Sequence, residues 1–435
     1  ELPGRTAGTT RLHIELNRRI GATENEEGLC LLIHTRHSDF NAVNVASAYT
    51  KLVVRKFMIK DVTVLEKEQI KIAVTPRKAS APPAPSFGSR HYELAVAVLE
   101  VQMLKNMTRY GARECTNILH SIAKSGRSPY DPSLLRELQR QIDIEAAALT
   151  SQGLANTLWS HAHLSLRPSS VLLDLLTRRT CALANDFNAQ DVSNTLWALA
   201  TLRSKGLINE MQVRAQSSLL QGLLPRTELV ADRMSPQSVA NSLWSLATLG
   251  IAPNDSLLDR LAERAEKVSG NFIAQELSNV LWAFAKIQAK NKGRVLAEMS
   301  HRATIIAHTF TPQEIGNSMW AFATMHESCL TYERGCLPSD EFVAALTCRA
   351  EVVGNEFTAQ NCANTLWAFA SLGLVPSPCL VQVLLARAEV VAKEFNSQNI
   401  SNCIWAFAAL GITPPTTLLL ALTRRAQALG NLLLL

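Results

Sequence analysis

One set of polar and aromatic side chains recurs through this sequence at fixed spacing, Gln-x-x-x-Asn-x-x-Trp. An Asn amide can hydrogen-bond the edge of a flat heterocycle, and an indole can stack on its face. The same residues can instead serve the fold, the Trp by packing and the Asn by bonding to neighbouring backbone. The motif occurs seven times, and every tryptophan of the chain belongs to it: Trp159, Trp197, Trp244, Trp282, Trp320, Trp367 and Trp405. Three residues before these stand Asn156, Asn194, Asn241, Asn279, Asn317, Asn364 and Asn402, and four before each Asn stands Gln152, Gln190, Gln237, Gln275, Gln313, Gln360 or Gln398.

Other chemistry finds little support. There is no Walker loop, His-Glu-x-x-His, Gly-x-Ser-x-Gly or clustered Cys/His set, so no catalytic residue, metal ligand or cofactor is expected. His161 and His163 form a His-x-His pair, but on a helix they point about 200° apart and do not converge on a metal. The nine cysteines are scattered without any Cys-x-x-Cys pair. Cys362 and Cys403 fall in core-like slots, which points to a reducing compartment.

The elements that must carry the motif follow from its period. Successive tryptophans are 38, 47, 38, 38, 47 and 38 residues apart. A fixed period in this range predicts an all-α fold, a right-handed-type α-solenoid of tandem helix-turn-helix repeats. Helix A carries the Trp motif, a loop with Gly and Pro ends it, as at Gly250 to Pro253, and helix B follows, as over Ser256 to Gly270. Helix B holds an Arg eight residues before the next large apolar residue, as in Arg264/Phe272 and Arg387/Phe395. This Arg reads as a structural donor at a repeat junction or, alternatively, as a phosphate contact. The longer spacings come from nine-residue insertions between helices A and B, at Arg203 to about Gln212 and at His326 to Pro338. They are expected on one edge of the array.

On a helical wheel of about 100° per residue, Leu277, Leu281 and Phe284 mark a buried arc. Trp282 and Gln275 are placed on the same buried side, the Trp packing between repeats and the Gln meeting unpaired backbone at the helix start. The opposite arc, with Asn279, Val280, Ala283, Lys286 and Glu276, is expected to be a shallow open surface. The position three before each Asn varies among Gly153, Asp191, Ser238, Glu276, Glu314, Asn361 and Asn399. Variable polar slots on a fixed frame suit a modular reader of RNA bases, and suit ordinary solvated surface equally. The candidate RNA-binding residues are therefore Asp191, Asn194, Ser238, Asn241, Glu276, Asn279, Lys286, Glu314, Asn317, Asn361, Asn364, Asn399 and Asn402. The seven tryptophans are assigned to the repeat core.

The net charge of +6 is concentrated at the start of the chain. Residues 1–110 carry 16 basic against 11 acidic side chains, while residues 111–435 carry 27 against 26. Any phosphate contact in the array must come from local stripes, not bulk charge. Three regions are expected. Residues 1–74 form a basic region with a worn repeat, in which Phe40 takes the aromatic slot and Ser47 the Asn slot. Residues 75–90 form a Pro/Ala-rich linker. Residues 91–435 form a solenoid of about seven to eight repeats, whose degenerate first copy has Tyr110, Asn117 and His120 in the aromatic, Asn and Trp slots. No membrane-spanning apolar run is present.

The two-helix repeat with the core Asn-x-Leu-Trp-Ala-Phe-Ala-x-Leu-Gly, as at Asn364 to Gly373, resembles octotricopeptide repeats. It is also similar to the repeats of RAP-domain and FAST-kinase-like organellar proteins of algae, apicomplexans and dinoflagellates. The likeness covers about residues 91–435. It implies a non-catalytic organellar RNA-binding protein, in a mitochondrion or alternatively a plastid. Its partners would be organellar rRNA or mRNA and ribosomal or other ribonucleoprotein subunits. The Pro-Pro-Pro-Glu-Trp signature of octotricopeptide repeats is missing, and no RAP-like nuclease module follows the array, so nuclease activity is not expected. The alternative is a protein–protein scaffold within a large organellar assembly, in keeping with the near-neutral repeats.

Overall fold

A computed structural model describes residues 7–54, 87–209, 217–290, 292–328 and 337–432. Among these residues the secondary structure is helical throughout, with 20 α-helices joined by short turns. The chain divides into two units, Glu1–Leu183 and Ala184–Leu435. Each is a stack of A and B helices in alternation, the solenoid that the period predicts.

The A helices of the first unit are Ala42–Val54, Ala112–Ser125 and Ser151–His163. Those of the second are Ala189–Ser204, Pro236–Leu249, Ala274–Ile287, Pro312–Ser328, Ala359–Ser371 and Ser397–Leu410. Within a unit each A helix packs along the next, in much more extensive contact than successive B helices make. Small residues allow this approach. The residue after the motif Asn (Thr157, Thr195, Ser242, Val280, Ser318, Thr365) and the residue after the Trp (Ser160, Ala198, Ser245, Ala283, Ala321, Ala368) are buried in every case. Two places after the Trp, Leu199, Leu246, Phe284, Phe322 and Phe369 fill the core between A and B helices. An A helix with A-helix neighbours on both sides within its unit is thus covered on both flanks and on its back.

The passage from B to A helix is built alike in every repeat. The B helix ends in a single 3-10 turn such as Ser269–Asn271 or Ala392–Glu394, so helix B is shorter than the pattern Ser256 to Gly270 predicts. A large buried residue follows, Phe272 or Phe395 here, whose N–H donates to the carbonyl three residues back at 3.2 and 3.4 Å. Its backbone is extended, which turns the chain into the next N-cap. The A helix stops where a left-handed residue is available. Gly250 takes φ +66°, and Gln288 takes φ +56° at the same place one repeat later.

Several expected boundaries shift. The worn copy at Phe40 is a full A helix, Ala42–Val54, behind a 3-10 turn. The B helix Phe87–Lys105 begins inside the stretch assigned to the linker, whose remainder lies outside the described residues along with residues 55–74. Of the two insertions, residues 210–212 and 329–336 also lie outside them. The described parts lengthen the preceding A helices, which reach Ser204 and Ser328.

Candidate nucleic-acid interface

The covered flanks leave one strip of each A helix open to solvent. Gln, Asn, Trp and the residue four after the Trp follow one another by four, three and four positions. At about 100° per residue they fall within about 60° of one another. The structure shows this strip in every regular repeat. All seven motif Gln residues are exposed and all seven motif Asn residues are half-exposed. Among the described residues, none of these fourteen side chains makes a hydrogen bond.

The tryptophans belong to the same strip, which corrects their assignment to the core. Six are half-buried and Trp405 is 48% exposed. The wheel put Gln275 and Trp282 with the buried side because an indole is large and apolar. An indole can instead lie on the surface with one face covered, as an amphipathic group does. The gap beside each indole is occupied by the residue four places on. Lys286 holds its ammonium 5.8 Å from the ring centre of Trp282 and 5.4 Å from that of Trp320. In the first unit His163 stacks on Trp159 at 4.7 Å, and His120, in the degenerate Trp slot, meets the same indole at 4.8 Å. Elsewhere the position holds Thr201, Thr248, Thr324, Ser371 or Ala409, which are small.

The slot three before the Asn has a different task. It is the third residue of the A helix, where a side chain can reach back to the N-cap. Carboxylate oxygens of Asp191, Glu276 and Glu314 accept from the backbone N–H of Asn188, Ile273 and Thr311 at 3.3, 3.2 and 2.7 Å. Asn361 accepts likewise from Thr358 at 3.1 Å. The Ser238 hydroxyl pairs with Ser235 at 3.1 Å, and Asn399 is buried beside its cap, Asn396. Burial pushes the Asp191 and Glu276 carboxyls above their ordinary range. Four of these candidates close helix ends through their side chains, and all six lie off the open strip. Val280 and Ala283, placed on the open surface by the wheel, are buried between A helices.

The B-helix Arg forms a ladder behind the strip. Its Nε donates to the carbonyl of the large residue that opens its own repeat, just ahead of the A helix. In the second unit Arg226 bonds to Phe187 at 2.7 Å, Arg264 to Met234 at 2.7 Å, Arg302 to Phe272 at 3.0 Å and Arg349 to Phe310 at 2.8 Å. Arg387 bonds to Phe357 at 2.7 Å and Arg425 to Phe395 at 2.8 Å. In the first unit Arg179 bonds to Leu149 at 3.1 Å, while Gln141 and Gln102 fill the same role toward Tyr110 and Phe40 at 3.1 and 3.4 Å. The sequence held the signal for these two, since each Gln also stands eight residues before the next large apolar side chain.

Cys362 and Cys403 are buried free thiols, as their slots predict. No three His, Cys, Asp or Glu side chains among the described residues gather at a point fit for a metal ion. No helix among them is long and apolar enough to cross a membrane.

No curated protein matches the chain. The family of the RNA-editing substrate-binding complex 6 protein matches residues 88–330, from the B helix at Phe87–Lys105 through the A helix at Pro312–Ser328. This match carries the coarser part of the expected resemblance, a helical-repeat family named for an RNA-associated complex. Spanning more than half of the 435 residues, it makes the chain a member of the RNA-editing substrate-binding complex 6 protein family.

Proposed function

We propose that this chain is a non-catalytic component of an organellar RNA-editing or RNA-processing complex, and that its A-helix strips hold single-stranded RNA. The mitochondrion is the compartment of this reading and the plastid its alternative. The supporting family is named for binding the substrates of RNA editing, which favours a processing complex over a place in the ribosome.

One observation carries the proposal. Asn in the middle of a helix costs about 0.5–0.7 kcal/mol relative to Ala. Here it recurs seven times at the same slot and gains no hydrogen bond from the fold. The fold therefore has no use for it, and the exposed Gln one turn earlier is in the same position. Free amides beside half-covered indoles are what bases of a single strand require, hydrogen bonds at the edge and a stacking face. Bases paired in a duplex would have neither accessible. The strip residues of this reading are Asn194, Asn241, Asn279, Lys286, Asn317, Asn364 and Asn402, with the Gln and Trp of each repeat.

The test is to replace Asn317 and Asn364 together with Ala and titrate a mixed-sequence single-stranded RNA at low and moderate salt. The expected result is weaker binding with unchanged or slightly raised thermal stability. A wild-type protein without salt-dependent RNA affinity removes the proposal.

A scaffold role has its own observation. Three residues after the ladder Arg, Leu229, Ile305, Val352 and Val390 expose 65%, 56%, 73% and 72% of their surface along the B helices of the second unit. Such a row is an apolar seat for another subunit. It lies on a different helix from the strip, so both roles fit one chain.

A further inference from the structure

Two copies in the first unit lack the Trp of the strip, His120 standing in its slot in one and Thr50 in the other, and an open hollow lies beside Thr50. Phe40 and Ser47 fix the register of the A helix Ala42–Val54, and the position that carries Trp in the regular repeats is Thr50. Where a two-ring side chain would lie, the structure has a cavity of about 360 Å3. Its walls are Ser47, Thr50 and Val54 from this helix, Asn117 from the A helix Ala112–Ser125, and Gly21 from the end of the helix Ala7–Ala22. The volume lies in the lower part of the range typical of small-ligand sites, about 300–1,000 Å3.

The walls are arranged to receive a polar, flat group. Ser47 is half-buried and Asn117 exposed, and neither side chain makes a hydrogen bond among the described residues. The Thr50 hydroxyl pairs with Ser121 at 2.9 Å, and Val54 supplies an apolar wall. The floor is fixed by Lys51. Its ammonium donates to the carbonyls of Ile20, Gly21 and Thr23 at 2.8, 2.7 and 2.5 Å, closing the end of the first helix. It therefore holds the cavity open by anchoring one wall and brings a positive charge to its base.

We infer that this cavity seats a purine base of the same single-stranded RNA that the strips hold. An indole and a purine are both fused six- and five-membered rings, so a hollow beside the slot that holds an indole elsewhere has room for a purine as well as for a one-ring pyrimidine, and the larger ring covers more of its wall. The Ser47 hydroxyl and the Asn117 amide each offer a donor and an acceptor for the edge of such a base. The first unit would take a base into its wall, where the other repeats stack bases on theirs. This rests on the RNA-binding reading above.

The decisive variant is Thr50→Trp. It installs the residue that seven repeats already accommodate at this slot, so it fills the gap with a side chain the A-helix packing tolerates. Asn117→Ala is the second variant and removes one edge contact without filling anything. Affinities of the full chain for poly(A) and poly(U) are compared, and crosslinks from 4-thiouridine or 8-azidoadenosine in the RNA are mapped to peptides. The expected result is about a tenfold loss of poly(A) affinity in Thr50→Trp, as for removal of one well-held base, with poly(U) affinity nearly unchanged. Asn117→Ala loses a smaller factor in the same direction, and the adenosine crosslink within residues 44–54 or 112–121 disappears in Thr50→Trp. If wild type binds poly(A) and both variants bind it equally well, the purine seat is wrong and the strip reading stands. If wild type binds neither polymer, both fall together.

Discussion

Arg387 donates through Nε to the Phe357 carbonyl at 2.7 Å, and Gln141 donates to the Tyr110 carbonyl at 3.1 Å from the corresponding slot of another repeat. The two bonds do the same thing with and without a formal charge. Each ties a B helix to the turn that opens its own repeat. The guanidinium is thus present as a rigid N–H donor. Replacing Arg387 by Ala leaves the buried Phe357 carbonyl without its partner, a cost of about 1–3 kcal/mol. Arg387→Gln is expected to recover at least half of that loss. Urea unfolding of the two variants beside wild type checks the order.

Gly354 opens a 3-10 turn against the next B helix, where a Cβ would lie 1.9 Å from Val383 Cγ1. One repeat later the corresponding residues are Ala392 and Ala421, so bulk on one side is matched by its lack on the other. Gly354→Ala should therefore destabilise by about 1–3 kcal/mol through overpacking. Val383→Ala in the same chain should restore most of it. A double-mutant cycle measures the coupling, and additive effects would contradict the contact.

His161 is buried in the slot where the second unit carries Leu or Phe. Its Nδ1 lies 2.8 Å from the Thr157 carbonyl, which only accepts, so Nδ1 carries the proton and Nε2 accepts from Gln139 at 3.3 Å. Burial lowers its pKa from the ordinary 6.5, so the folded chain keeps it neutral where the unfolded chain protonates. The resulting stability is complete above pH 6.5 and declines as the pH falls below it, because the unfolded state then binds the extra proton. His34 and His120 are lowered by burial as well and act with the same sign. Melting temperatures at about pH 7.5 and about pH 5.5 should differ less in His161→Leu than in wild type.

Lys286, between Trp282 and Trp320, is the cation of the open strip in the second unit. Lys286→Gln should weaken RNA binding at low salt and reduce the slope of log affinity against log salt by about 0.7, one phosphate's worth for a single strand. Affinities over a salt series give the slope directly. An unchanged slope would mean that the ammonium serves the indoles alone.

Much of this was legible in the residues. The Trp period set the two-helix repeat, and the eight-residue interval from Arg to Phe marked the junction donors. The capping role of Asp191, Glu314 and Asn361 was also written in the sequence, since each stands three residues after Asn188, Thr311 or Thr358, the spacing of a capping box. Variation at that slot suits a base reader and solvated surface equally, and neither reading names the cap. The strip was missed for a physical reason. Gln275, Asn279, Trp282 and Lys286 are neighbours on the wheel, but apolar size argued for burying the Trp and so divided them. The 3-10 turns had no signal of their own, because three residues are too few to show a period. The cavity at Thr50 needed coordinates, since a missing ring is visible only once its surroundings are placed.

Because each ladder Arg bonds the carbonyl of the turn residue that opens its own repeat, the motif from Gln to Gly is not a portable part. A graft of residues 360–373 alone would leave Phe357 and Arg387 behind, and with them the bond that ties helix B to the turn ahead of helix A. The transplantable cassette begins at a large turn residue such as Phe357 and runs past the Arg of the following B helix. Chimaeras spliced on those borders should fold, and the specificity of one array could then be moved to another.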